Sequence, residues 1–250
     1  MAGHSKWANI KHRKARQDAA RSKAFTKIIR ELTVAAREGG GDPGANPRLS
    51  LAVANAKSVN MPKDNIERAI KKGTGELEGE SYEEVTFEGY GPGGVAYFVE
   101  CTTDNNNRTV SEIRHAFSKH GGNMGTSGSV AFLFEQKGII TINREKLDED
   151  EVMLAAIDAG ADDVKVEGDV FEITTSREQL YAVRTSLEEA GYTIASAELQ
   201  RLPATEVTVD ADTAASNLKL MYRFEDHDDV TNVFTNMNMS EEVMNLAENM

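Results

Sequence analysis

The sequence predicts an α+β fold in which a helical N-terminal domain precedes two α+β domains. Three observations carry that prediction. Apolar residues recur at helical spacing between residues 23 and 72, short β-rich runs alternate with helical ones from Val85 onward, and the sign of the charge reverses between the two regions. The first 75 residues hold 16 of the chain's 28 Lys and Arg but only 6 of its 41 Asp and Glu, a net +10, which leaves −23 on the remaining 175. The overall pI of 4.9 hides this division.

In the first helix, over Lys23 to Arg37, Phe25, Ile28, Ile29, Leu32, Ala35 and Ala36 fall within an arc of about 120° at about 100° per residue, opposite Lys23, Lys27, Arg30 and Arg37. Gly39 to Gly41 stop it. Asn46-Pro47 opens a second helix whose Leu49, Ala52, Val53 and Ala56 repeat at i, i+3, i+4 and i+7. After Asn60-Met61-Pro62 a third begins, with Ile66, Ala69 and Ile70 facing inward and Lys71 and Lys72 complementing its dipole before Gly73. A polar linker follows to Glu84.

Val85 to Phe87 and Val95 to Cys101 flank a Gly-rich turn in the manner of a hairpin. Asn106 to His120 reads as a helix, Gly121 to Ser129 as a flexible connection, and Val130 to Phe134 as a strand. Gly138 to Ile142, Glu149 to Ala159, Val164 to Glu167, Val170 to Thr174, Arg177 to Ala190 and Thr193 to Leu199 then run βαββαβ, the pattern of ferredoxin-like domains. The tail predicts a strand at Glu206 to Val209, a helix at Ala211 to Phe224 and a strand at Val230 to Thr235. Whether that tail pairs with the strands between 85 and 134, which would make residues 135–203 an insertion, is left open by the sequence.

The lone Cys101 lies in an apolar strand, so no disulfide forms within the chain and a reduced, cytoplasmic setting is expected, with the thiol in the core. No run approaches the roughly 18 apolar residues of a membrane span, and no apolar leader opens the chain, so no membrane partner is expected.

The segment His4 to Lys23 is the sharpest feature. It carries Lys6, Lys11, Arg13, Lys14, Arg16, Arg21 and Lys23 against Asp18 alone. On a helical projection Lys14 and Arg21 share the side of Phe25 and Leu32, so this part is expected to protrude rather than join the buried stripe. Cations on one exposed element neutralise phosphates, and Trp7 among them suits stacking on an unpaired base. Thr103 to Thr109 reads as a helix cap, with anion binding assisted by Arg108 as the alternative. The acidic run Glu225 to Asp229 reads as a solvated turn, with collection of a divalent ion as the alternative. The five histidines lack metal-site spacing, and no nucleophile or paired-carboxylate arrangement compels catalysis, so neither cofactor nor metal is expected.

Gly3 to Trp7 followed by Ile10-Lys11-His12-Arg13-Lys14 resembles the N-terminal signature of the YebC/PmpR family. Ala35 to Gly40, Asn60-Met61-Pro62, Glu88 to Pro92, Asn107-Arg108-Thr109, Gly128-Ser129-Val130 and Asp228-Asp229-Val230 are similar to its later blocks. Met124 and Phe234 stand where that family often has Leu and Tyr.

The resemblance implies three domains: residues 1–75 helical and basic, 76–134 with 204–240 α+β, and 135–203 a ferredoxin-like domain inserted into the second. It also implies a non-enzymatic, nucleic-acid-binding regulator. Promoter DNA is the favoured partner and ribosomal RNA, bound by a translation factor, the alternative; the acidic domains are open to protein partners. The residues expected to meet nucleic acid are Lys6, Trp7, Lys11, His12, Arg13, Lys14, Arg16, Arg21, Lys23, Lys27 and Arg30.

Overall fold

Our computed structural model describes residues 18–144 and 147–249, with side chains from Lys23 onward. The chain begins with helices α1 (Asp18–Gly39), α2 (Pro47–Ser58) and α3 (Lys63–Gly73). Leu32, Ala35 and Ala36 of α1 meet Leu49, Ala52 and Ala56 of α2 and Ile66 and Ala69 of α3 in one core. Asn46 fixes the corner between α1 and α2. Its side chain accepts a hydrogen bond from the Leu49 amide (3.1 Å), capping α2, and donates to the carbonyls of Ala35 (2.8 Å) and Gly40 (2.9 Å).

Next come β1 (Glu83–Tyr90), β2 (Ala96–Thr103), α4 (Asn106–Lys119), β3 (Asn123–Met124) and β4 (Phe134–Asn143). They are followed by α5 (Glu149–Asp158), β5 (Asp163–Glu167), β6 (Val170–Ser176), α6 (Leu180–Glu189) and β7 (Ile194–Pro203). The chain closes with α7 (Ala211–Glu225), β8 (Val230–Thr235) and α8 (Glu241–Glu248). One sheet has the order β3-β1-β2-β8 and the other β5-β6-β4-β7, with every neighbour antiparallel. The second order is the ferredoxin-like one that βαββαβ predicts. Because β8 pairs with β2, from Tyr97 opposite Thr235 to Cys101 opposite Val230, the ferredoxin-like unit interrupts the first sheet's unit.

The first sheet's core is built around Tyr97, Phe117 and Phe224, whose rings lie edge to face with centroids 4.8–6.0 Å apart. Asn217, fully buried, accepts a hydrogen bond from the Tyr97 hydroxyl (3.0 Å) and donates to the Pro92 carbonyl (2.9 Å). That contact brings α7 onto the β1–β2 turn so closely that a Cβ at Gly91 would sit 2.4 Å from the Asn217 side-chain oxygen.

Three expectations are corrected. Ala131–Leu133 is a 3₁₀ turn and the strand starts only at Phe134. Glu206 to Val209 makes a single parallel bridge, Val207 to Met237, instead of a strand. The Gly-rich run is not a loose connection: the buried Glu88 carboxylate accepts hydrogen bonds from the amides of Gly128 (2.7 Å), Val130 (2.7 Å) and Ala131 (2.8 Å). Those amides are occupied by a side chain, which is why no ladder starts at Val130. The sequence reading also stopped short of α8, whose Val243, Met244 and Ala247 complete the first sheet's core.

Candidate nucleic-acid interface

Leu32 to Ala36 are five consecutive buried residues, more than one helical stripe can supply, so α1 is covered on two sides. Its apolar side faces α2 and α3. Its basic side lies on the acidic turn that joins α7 to β8. Lys23 Nζ reaches the Asp226 carboxylate at 2.6 Å and its carbonyl at 3.2 Å, and Lys27 Nζ donates to the Glu225 carbonyl at 2.9 Å. Arg30 donates to Asp229 Oδ1 (2.9 Å) and to the carbonyls of Asp228 (2.7 Å) and Thr102 (3.0 Å), with its guanidinium 5.2 Å from the centre of the Tyr82 ring. Arg37 donates to the Tyr82 carbonyl. Arg48, at the start of α2, binds Glu31 and Glu38 of α1 and Glu84 of β1.

Asp229 is the centre of this junction. Its side chain is 3% exposed, and Arg30 opposite it is 12% exposed. The second carboxylate oxygen accepts from Arg108 (2.8 Å), Thr109 (2.7 Å) and Thr103 (3.2 Å). Burial alone would raise the pKa of this carboxyl; hydrogen bonds from Arg108, Thr109 and Arg30 outweigh it and hold the value at about 2. The Asp229 amide donates to His227 Nδ1 (3.1 Å), so the ring proton sits on Nε2, which donates to Glu112 at 2.5 Å. Around these groups lies an open cleft of about 460 Å³ lined by Arg30, Glu80, Asp104, Arg108, Glu112, Arg223 and the turn Asp226 to Asp229. Cys101, on β2 nearby, is buried, and that burial, with the Asp229 charge added, pushes its thiol up to about 12.

The residues predicted to meet nucleic acid therefore divide. Lys6, Trp7, Lys11, His12, Arg13, Lys14 and Arg16 lie outside the described residues, and Arg21 falls in the first turns of α1. Lys23, Lys27 and Arg30 are brought together, on the chain's own acidic turn. That turn was expected to be solvated, and Asp229, the residue that matters most in it, gave no local signal: its partners stand about 120 and 200 positions away. Arg108 serves the same carboxylate as well as Asp104 (2.7 Å), while Asn105 caps α4 by accepting from the Arg108 amide. Elsewhere in the helical domain Lys57, Lys63, Arg68, Lys71 and Lys72 are exposed, and among the described residues only Lys63 of these has an ion pair, to Glu67 at 3.4 Å. Among the described residues no group of His, Cys and carboxylates is arranged to hold a metal ion, and no helix is long and apolar enough to cross a membrane.

A family model described as "TACO1/YebC protein N-terminal domain" matches residues 5–76, and one described as "TACO1/YebC second and third domain" matches residues 82–237. The chain belongs to the TACO1/YebC family. A relative from Persephonella marina, named "Probable transcriptional regulatory protein", is 58% identical over 98% of both chains. Another of the same description from Sulfurihydrogenibium is 55% identical, covering 99% of this chain and all of that one. The crystal structure of a conserved hypothetical protein from Aquifex aeolicus is 50% identical, with a TM-score of 0.83 over 88% of this chain and 91% of that one. The family's N-terminal model thus spans the basic end and the three helices, and its other model both sheets and the acidic turn.

Proposed function

We propose that the protein is a non-enzymatic regulator of gene expression that binds nucleic acid, DNA by preference, through its basic N-terminal end. The observation that carries this reading is the confinement of a +10 charge to the first 75 residues of a chain whose remainder is −23. Relatives matching 98–99% of the chain are named "Probable transcriptional regulatory protein", which favours DNA as the polyanion.

Phosphate contact falls to the cations of the basic N-terminal run. Lys6, Lys11, Arg13, Lys14, Arg16 and Arg21 supply most of it, with Trp7 as the stacking residue and His12 between the cations of the run. Lys23 and Lys27 join through competition with the acidic turn. Arg30, held by Asp229, fixes how α1 is presented. Such contacts give affinity without reading bases.

Cross-linking in cells followed by sequencing of the attached nucleic acid tests the reading. Recovery of chromosomal DNA is expected. A product dominated by ribosomal RNA overturns the transcriptional part and leaves nucleic-acid binding standing, and recovery of no nucleic acid above an untagged control overturns both.

A further inference from the structure

The acidic remainder of the chain carries a basic patch of its own. Phe117 of α4 and Phe224 of α7 stack edge to face with centroids 4.8 Å apart, which brings the C-terminal turns of the two helices side by side. Lys119 and His120 close α4 there, and Lys219 and Arg223 lie one turn apart on α7. All three cations are exposed, and among the described residues none forms an ion pair. Burial, followed by the charges of Lys119, Arg223 and Lys219, pushes the half-buried His120 imidazole below its ordinary pKa, as expected of one ring reached by three cations.

The folded chain makes little use of this arrangement. Lys119 and Arg223 gain something from the helix C-termini they occupy, but Lys219 sits a turn earlier, and the three repel one another. Carboxylates outnumber cations by 35 to 12 after residue 75, so pairing partners were abundant. Among the described residues no carboxylate pairs with any of the three, although Arg223 shares a cleft with Glu112, Asp226 and Asp228. We propose that Lys119, Lys219 and Arg223 form a second contact for the phosphate backbone of nucleic acid.

This inference rests on the nucleic-acid reading above and extends it to a different domain. One feature favours a long nucleic acid over a short acidic protein segment. The Arg30–Asp229 pair latches the helical domain to this one, so a long polyanion gripped by the basic end gains a second, intramolecular contact here without fresh loss of freedom.

Anisotropy titrations of the full-length protein with a random-sequence DNA duplex, across a range of KCl concentrations, test the proposal. The combined variant Lys119→Glu, Lys219→Glu, Arg223→Glu is expected to bind about tenfold more weakly at low salt, with a salt slope smaller by about two to three. The corresponding triple Gln variant, which adds no new charge, is expected to show the same change in slope, and it decides the matter if the Glu variant fails to fold in thermal melts. Unchanged affinity and slope in a folded variant, while Lys11→Glu, Arg13→Glu, Lys14→Glu, Arg16→Glu weakens binding, overturn the patch and leave the proposed function intact. A wild-type protein that binds no duplex overturns the patch as a DNA contact together with the DNA preference of the proposed function. Loss of polyglutamate binding with duplex binding unchanged assigns the patch to an acidic protein and also overturns the proposal.

Discussion

At the scale of single residues, two carboxylates do opposite work from what their surroundings in the sequence suggest. Asp229 sits in a run of acids that reads as surface, yet it is buried and neutralises two arginines. Its pKa of about 2 against the usual 3.8 means that the fold favours the ionised form by about 2 kcal/mol. Because the folded value is depressed, that contribution is fully present above about pH 4 and is lost as pH falls toward 2. Asp229→Asn leaves Arg30 and Arg108 without their shared counter-charge and is expected to cost about 3 kcal/mol in urea unfolding at pH 7. The gap between the variant and the wild type should narrow between pH 4 and pH 2. Glu88 works through hydrogen bonds instead, its two oxygens receiving three amides of the Gly-rich loop. Glu88→Gln turns one acceptor into a donor facing amides, so a loss of about 1–3 kcal/mol is expected, with faster hydrogen exchange at Gly128, Val130 and Ala131.

At the scale of elements, the helical faces were legible and their partners were not. Apolar spacing in α1 to α3 reported the core that Leu32, Leu49 and Ile66 now share, because that signal depends only on neighbours three and four positions away. The βαββαβ order gave the ferredoxin-like sheet for a similar reason: alternation and helix length are local. The basic face of α1 was equally visible, but its docking onto Glu225 to Asp229 depends on residues about 200 positions distant, and periodicity carries no trace of that. The same holds for Val130, whose amide is diverted from a strand by Glu88, 42 positions earlier. The Lys23–Asp226 pair is the outermost contact of this docking, with side chains 43% and 70% exposed, and exposed pairs contribute about 1 kcal/mol or less. Asp226→Ala is therefore expected to leave the thermal midpoint nearly unchanged. By freeing Lys23 and removing one repelling charge it should strengthen duplex binding about twofold at low salt, and a weaker complex would argue that Lys23 has no part in phosphate contact.

At the scale of the whole molecule, the charge division sets what the protein can bind and how it must approach. The helical domain is latched to the first sheet's unit by Arg30 and Arg37 and touches the second through Asn55, which donates to the Ala197 carbonyl at 3.2 Å. Over about 8–10 Å at physiological salt the acidic surfaces repel any polyanion. On the proposed reading, that repulsion directs a polyanion toward the basic end and the small patch between α4 and α7. The central claim is that the basic end grips phosphates, and a salt titration measures it most directly. Full-length wild type and the fourfold variant Lys11→Glu, Arg13→Glu, Lys14→Glu, Arg16→Glu are compared on several unrelated duplex sequences. The wild-type affinity is expected to fall steeply with salt, and the variant's slope to be smaller by about three to four on every sequence alike. A wild-type affinity indifferent to salt, or a variant with an unaltered slope, would contradict the account.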